Sequence, residues 1–210
     1  EFKNLKCRYR PNLPYVLNGI SFKLDSKKKL GICGRTGSGK SSLTLCLWRM
    51  LDVIEGGIEI DGIDSSTLTL SQLRSKLAII PQDPVLFIGT LRSNLDPFNE
   101  VDDERIWDVL KQVHLFEFVN SLPHKLGTLV EEGGQNFSQG QCQLICFARA
   151  LLRGSKLIVL DEATASCDGR TDNIIQDVMK TKFEHATVLT IAHRLETIIF
   201  LLHLLKYSFS

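Results

Sequence analysis

Four stretches of the chain are apolar without interruption and too short for helices: Leu30-Gly31-Ile32-Cys33, Leu77-Ala78-Ile79-Ile80, Leu157-Ile158-Val159-Leu160 and Val188-Leu189-Thr190-Ile191. Runs of this length, lacking polar alternation, suit strands buried on both faces of a parallel sheet. Helical periodicity lies between them. After Asp102-Asp103, a cap and an acidic first turn, apolar residues fall at Ile106, Val109, Leu110 and Val113. A second helix is predicted from Ser138, carrying Leu144, Ile145, Ala148, Leu151 and Leu152 and ending near Gly154. The opening region instead alternates through Phe22 and Leu24 as strands do, broken by the turn formers Pro11-Asn12 and Asn18-Gly19. GGIEIDG at 56–62 reads as a further short strand. The pattern predicts an α/β domain with a largely helical insert between roughly Thr67 and Gly154.

Composition narrows the class. At 210 residues the chain fits one sizeable domain. A formal net charge of +1 gives no excess of base for a nucleic-acid or acidic-membrane surface. The densest basic run, Lys27-Lys28-Lys29, reads as a solvated turn. Six cysteines are scattered without a CxxC pair, which suggests reduced, packed thiols in a cytosolic setting and not a disulfide frame or zinc site. The opening EFKNLKCRYR lacks the apolar core of a signal peptide. The tail IIFLLHLLKYSFS holds the longest strongly apolar run, short of the ~20 residues of a membrane helix.

Each buried run is followed at once by residues with chemical potential: a glycine-rich loop, Gln82, Asp161-Glu162 and His193. Open α/β sheets bind ligands outside the carboxyl ends of their strands, so these groups suggest one site. Gly34-Arg35-Thr36-Gly37-Ser38-Gly39-Lys40-Ser41 matches the phosphate-binding loop GxxxxGK[ST] in full. Glycines let the backbone curl with its N–H groups inward, and the helix that follows adds its positive end. Lys40 is expected to reach the β- and γ-phosphates of a triphosphate, and Ser41, with Ser42 beside it, to meet Mg²⁺ and phosphate. Asp161 can hold the Mg²⁺ water shell, and Glu162 can accept a proton from an attacking water. Gln82 can touch both Mg²⁺ and that water, while His193 is a candidate γ-phosphate contact. Phe137-Ser138-Gln139-Gly140-Gln141 adds a hydroxyl and a glycine at a helix start, a second place for an anion. One nucleotide does not need two such places in one domain. Two copies facing each other use both.

In this order, the phosphate loop, PQDP with Gln82, FSQGQ, LIVLDEATAS, Asp168 and IAHR with His193 closely resemble the nucleotide-binding domains of ABC proteins. The resemblance covers about residues 1 to 197, leaving 198–210 as an atypical apolar tail. It implies a phosphate-loop NTPase fold of the ABC ATPase kind: a mainly parallel core sheet, an N-terminal antiparallel β subdomain and a helical subdomain. TLRSNLDPFNEVDDERIW and the full LDEATAS are similar to the second nucleotide-binding domain of multidrug-resistance-associated transporters. By that resemblance ATP and Mg²⁺ are bound and ATP is hydrolysed. Tyr9 stacks on adenine, and two domains close head to tail so that Ser138, Gly140 and Gln141 act on the partner's ATP. Closure drives membrane-spanning domains absent from this chain, at the cytoplasmic face of a membrane and without nucleic acid. Gln139 departs from the small or apolar residue usual in the family's motif, and Cys142 stands where a basic residue is common. The tail departs further and suggests an unpaired apolar edge. The alternative is a truncated product that binds nucleotide weakly or serves only as a pairing partner.

Overall fold

In chain order, β1 (Phe2–Cys7), β2 (Leu17–Phe22) and β3 (Lys29–Cys33) precede α1 (Lys40–Leu47), β4 (Val53–Ile60), β5 (Ile63–Asp64) and α2 (Leu70–Ser75). Next come β6 (Leu77–Ile80), β7 (Gly89–Thr90), α3 (Leu91–Leu95), α4 (Asp103–Gln112), α5 (Phe116–Ser121) and β8 (Leu129–Val130). They are followed by α6 (Gln139–Arg153), β9 (Leu157–Asp161), α7 (Gly169–Thr181), β10 (Thr187–Ala192) and the two-residue β11 (Tyr207–Ser208). The computed structural model describes residues 1–35, 37–163 and 167–192, with the backbone of Tyr207 and Ser208.

All four uninterrupted apolar runs are strands of one parallel sheet, ordered β11-β3-β10-β9-β6. Successive side chains point to opposite faces, and here each face meets a separate core. Leu30, Ile32, Leu77, Val159, Leu189 and Ile191 pack with α1 and the strands of the antiparallel sheet β2-β1-β4-β5. Ala78, Ile80, Ile158, Leu160 and Val188 pack with α4, α6 and α7 on the other side. This division explains why the runs show no polar alternation. The helix α1 carries the same logic: Leu43, Cys46 and Leu47 are buried, as are Ser42 and Thr44. In the antiparallel layer, Phe2 pairs with Phe22 across β1 and β2, and their rings stack 4.4 Å apart.

The two long helical patterns form where their caps and stripes place them. In α4, Asp102 accepts from the Arg105 amide at 2.8 Å, and Ile106, Val109, Leu110 and Val113 are fully buried. In α6, Ser138 caps the start and Gly154, at φ 60, closes the end. The short α2, α3 and α5 and the β7–β8 ribbon are additions that the periodicity does not signal. At the tail, the backbone of Tyr207 and Ser208 pairs with Ile32 and Cys33, so the edge of β3 is covered there, contrary to the expectation of an unpaired edge. The rest of residues 198–210 lies outside the described residues. Among the described residues, no helix is long and apolar enough to cross a membrane. None of the six cysteines is in a disulfide, and Cys7, Cys46, Cys142 and Cys146 are buried.

The LDPF segment is closed by one carboxylate. Asp96 accepts from the amides of Glu100 at 3.1 Å and Val101 at 2.9 Å, and Arg92 stands 3.4 Å away. Burial pushes the Asp96 carboxyl pKa up, but the Val101 and Glu100 amides and the Arg92 charge outweigh it and hold it below the usual value. A folded pKa below the unfolded one contributes stability that is complete above the unfolded value and lost as pH falls through the folded one. Asp96→Asn is therefore expected to be less stable than the parent chain in urea unfolding at neutral pH. The gap should narrow as pH drops below about 4, and a gap that ignores pH would contradict this role.

Candidate functional site

Parallel register brings the strand ends to a common level. Ile80 pairs with Leu160, Asp161 with Ile191, and Ala192 with Cys33. The loops that begin at Pro81, Glu162 and Gly34 thus leave the sheet within a residue of one another. Neighbouring strands lie about 4.8 Å apart, so the three loops share one edge of a narrow sheet. His193 follows Ala192 at the same edge in sequence, but it lies outside the described residues, as does Thr36.

The loop between β3 and α1 closes on its own lysine. Lys40, 5% exposed, donates from Nζ to the carbonyls of Gly34 at 2.7 Å and Arg35 at 3.0 Å. A buried ammonium needs such acceptors. Beside it, Ser38 Oγ is buried and has no protein partner. A buried donor without an acceptor and a cation aimed into the same curl fit an anion with several oxygens. Gly39 is the N-cap of α1 at φ 91, a conformation that favours glycine. Arg35, Gly37 and Ser41 are exposed at the mouth, while Ser42 is buried in the first turn of α1. Tyr9, 54% exposed, bonds through its hydroxyl to Ser42 Oγ at 2.8 Å. Its ring therefore stands beside the loop with a surface free for a flat ligand.

Asp161 ends β9 two residues after Val159, and strand alternation carries it on the same face, the side of α1. It is half-buried, as is Glu162. Glu162 has left the strand: its φ is 50, and its amide donates to Ile191 O at 3.0 Å. A non-glycine residue in the left-handed region is uncommon and clusters at sites where a side chain must be re-aimed. Gln82 is exposed just beyond β6. The preceding Pro81 is held by α6, whose Gln143 Nε2 donates to its carbonyl at 3.1 Å.

Ser138, Gly140 and Gln141 form the start of α6. Ser138 Oγ accepts from the Gln141 amide at 3.2 Å, and Gln141 Oε1 accepts from the Ser138 amide at 2.8 Å. Ser138 is exposed and Gly140 buried. The body of α6 packs in the core on the sheet face opposite α1, so these residues are not part of the Lys40 curl. Further along α6, Arg149 donates to Asn94 O, Asn94 Oδ1 and Val85 O, each at 2.6 Å. Asn94 in turn holds Phe87 through both backbone groups, at 2.9 and 2.8 Å. Val85, Phe87 and Ile88 are left 52%, 67% and 76% exposed. Sequence reasoning missed Gln143, Arg149, Asn94 and the Tyr9–Ser42 bond. A buried-face arginine and glutamine in an otherwise apolar helix are the only signal the chain offers for the first two.

The sheet, the two packed faces and the lysine-closed loop define a phosphate-loop NTPase fold of the ABC ATPase kind. A family model described as ABC transporter matches residues 17–165, and the chain belongs to that family. Over 198 residues, 94% of this chain, it is 56% identical to ATP-binding cassette sub-family C member 3 of Rattus norvegicus. The same identity and coverage hold for ATP-binding cassette sub-family C member 2 of Homo sapiens. Each of those relatives is far longer, and the chain spans 13% of its length. Among solved structures, it is similar to a bacterial Atm1-family ABC exporter with ATP bound, at a TM-score of 0.87 and 34% identity. That likeness covers 94% of this chain and 34% of the exporter chain.

The curl depends on Gly39. A Cβ there would stand 2.8 Å from both Leu17 Cδ2 and Val16 O, at a φ that L side chains rarely adopt. Gly39→Ala is expected to lose roughly 1–3 kcal/mol in urea unfolding, and an unchanged midpoint would show that the loop does not need its present backbone.

Proposed function

We propose that this chain is an ATP-hydrolysing nucleotide-binding domain of an exporter like the sub-family C relatives, working as one half of a head-to-tail pair. The common level of the three described strand ends carries the reading. Register brings the ends of β3, β6 and β9 to that level, which supports a shared site for Asp161 and Glu162 with the loops that lead to Lys40 and Gln82.

Within that reading, Lys40 exchanges the carbonyls of Gly34 and Arg35 for the β- and γ-phosphate oxygens of ATP, and amides at the start of α1 donate to them. Ser41, Asp161 and Gln82 hold Mg²⁺, which when bound neutralises charge on the phosphate oxygens. Glu162 takes a proton from the water whose oxygen attacks the γ-phosphorus, as the bond to the β–γ bridging oxygen breaks to leave ADP and phosphate. His193 contacts the γ-phosphate. Tyr9, tethered through Ser42, stacks on adenine.

The start of α6 serves the other domain's nucleotide. Its place on the sheet face opposite α1 supports this, since Ser138, Gly140 and Gln141 are presented away from the chain's own curl. Transport follows if closure pulls on membrane-spanning domains at the cytoplasmic face of the membrane. The exposed Val85, Phe87 and Ile88, pinned by Asn94 and Arg149 next to the Gln82 loop, are the apolar face offered to them.

ATP turnover decides the reading. Glu162→Gln is expected to lower turnover by roughly 10²- to 10⁴-fold with nucleotide binding retained, while Lys40→Ala weakens binding itself. Turnover that survives Glu162→Gln, or affinity that survives Lys40→Ala, would refute it.

A further inference from the structure

Two helix starts meet at one side chain. Thr171, in the first turn of α7, lies directly against Gly140. A Cβ on Gly140 would stand 2.6 Å from Thr171 Oγ1 and 3.1 Å from its Cγ2. The same hydroxyl donates to Asp168 Oδ2 at 2.9 Å. Asp168 Oδ1 accepts from the amides of Arg170 at 2.9 Å and Thr171 at 3.0 Å, which makes Asp168 the N-cap of α7.

Abutting helix starts both carry partial positive charge. On α7 that charge is offset by Asp168, whose carboxyl pKa is held below the usual range by the Thr171 amide and hydroxyl. On α6 no acidic residue occupies the first turn, and the capping oxygen is the neutral hydroxyl of Ser138. Asp168 is exposed and adjoins the α6 start through Thr171. Released from Thr171, its carboxylate could swing toward that positive end and take the place of an incoming anion.

We propose that Thr171 is a positioning residue for domain closure: it fixes Asp168 on α7 and seats the Gly140 turn, leaving the positive end of α6 for the partner's nucleotide. The inference rests on the head-to-tail reading above. It predicts that the loop bearing Asp168 and the start of α6 act as one unit when the two domains meet.

The test uses this chain in a Glu162→Gln background, with and without Thr171→Val or Thr171→Ser. MgATP-driven dimerisation is followed by sedimentation velocity, and ATP affinity is measured separately on dilute monomer. Valine keeps the shape and removes the donor. It is expected to weaken dimerisation about tenfold, the scale of one hydrogen bond to a charged group, with monomer ATP affinity unchanged. Serine keeps the donor and is expected to restore most of the loss.

A valine variant that dimerises like its parent, or a serine variant no better than valine, would overturn the proposal. So would a valine variant that loses monomer ATP affinity, since Thr171 would then support the whole fold. A parent chain that stays monomeric in excess MgATP would instead overturn the head-to-tail reading, and this inference would fall with it.

Discussion

The site is held in place by a packing constraint remote from any ligand: the parallel sheet is buried on both faces. Along β9, Ile158 and Leu160 belong to the helical core while Val159 belongs to the α1 core, and β10 divides in the same way. A slip of one residue would exchange every partner between the two cores. Burying each such side chain contributes about 1.5–3 kcal/mol, so misfitting even a few of them in the wrong core would cost an amount comparable to the net stability of a domain. The first residue past each strand inherits that precision. Asp161, Glu162 and Pro81 stand where they do because Val159, Leu160 and Ile80 cannot move.

A second constraint is electrostatic. Lys40 is buried, and its ammonium must be compensated by something. Two carbonyls of the loop supply that compensation, and they also pull the chain into the curl that surrounds the cation. A phosphate oxygen carries a full share of negative charge and is a stronger acceptor than a carbonyl. On the proposed reading, the described part of the loop is already shaped around the charge that a nucleotide would engage. The Tyr9–Ser42 bond extends this preparation to the aromatic ring, since Ser42 belongs to the same first turn as Lys40.

Much of this was legible in the chain, for reasons that can be named. Burial on both faces leaves continuous apolar runs, so β3, β6, β9 and β10 could be read directly. Caps and a 3.6-residue stripe exposed α4 and α6. The phosphate loop follows from residue spacing alone. The short α3 and α5 were not legible, because five or six residues span fewer than two turns and show no repeating stripe. Nor were the bonds from Arg149 to Asn94 and from Gln143 to Pro81, which join residues 55 and 62 positions apart. Such contacts depend on where α6 lies over β6 and α3, and local pattern carries no trace of that placement. The left-handed backbone of Glu162 escaped for the opposite reason: it is local, but a glutamate gives no sign of it.

The start of α6 shows how the two departures from the family's motif are accommodated. Gln139 is the first residue of the helix and is exposed, so its longer side chain meets solvent and not the fold. The demanding neighbour is Gly140, which Thr171 leaves no room to replace. Cys142 points the other way: it is buried, its thiol lies 3.7 Å from Gly134 O, and a Cβ on Gly134 would come within 3.1 Å of the sulfur. Burial pushes this thiol's pKa up, which keeps it neutral in apolar surroundings that would penalise a basic group. The first turn of α6 is therefore anchored twice, through Gly140 on α7 and through Cys142 in the core. Just ahead of those anchors Ser138 and Gln139 are exposed, so the fold absorbs both departures without giving up the turn's position.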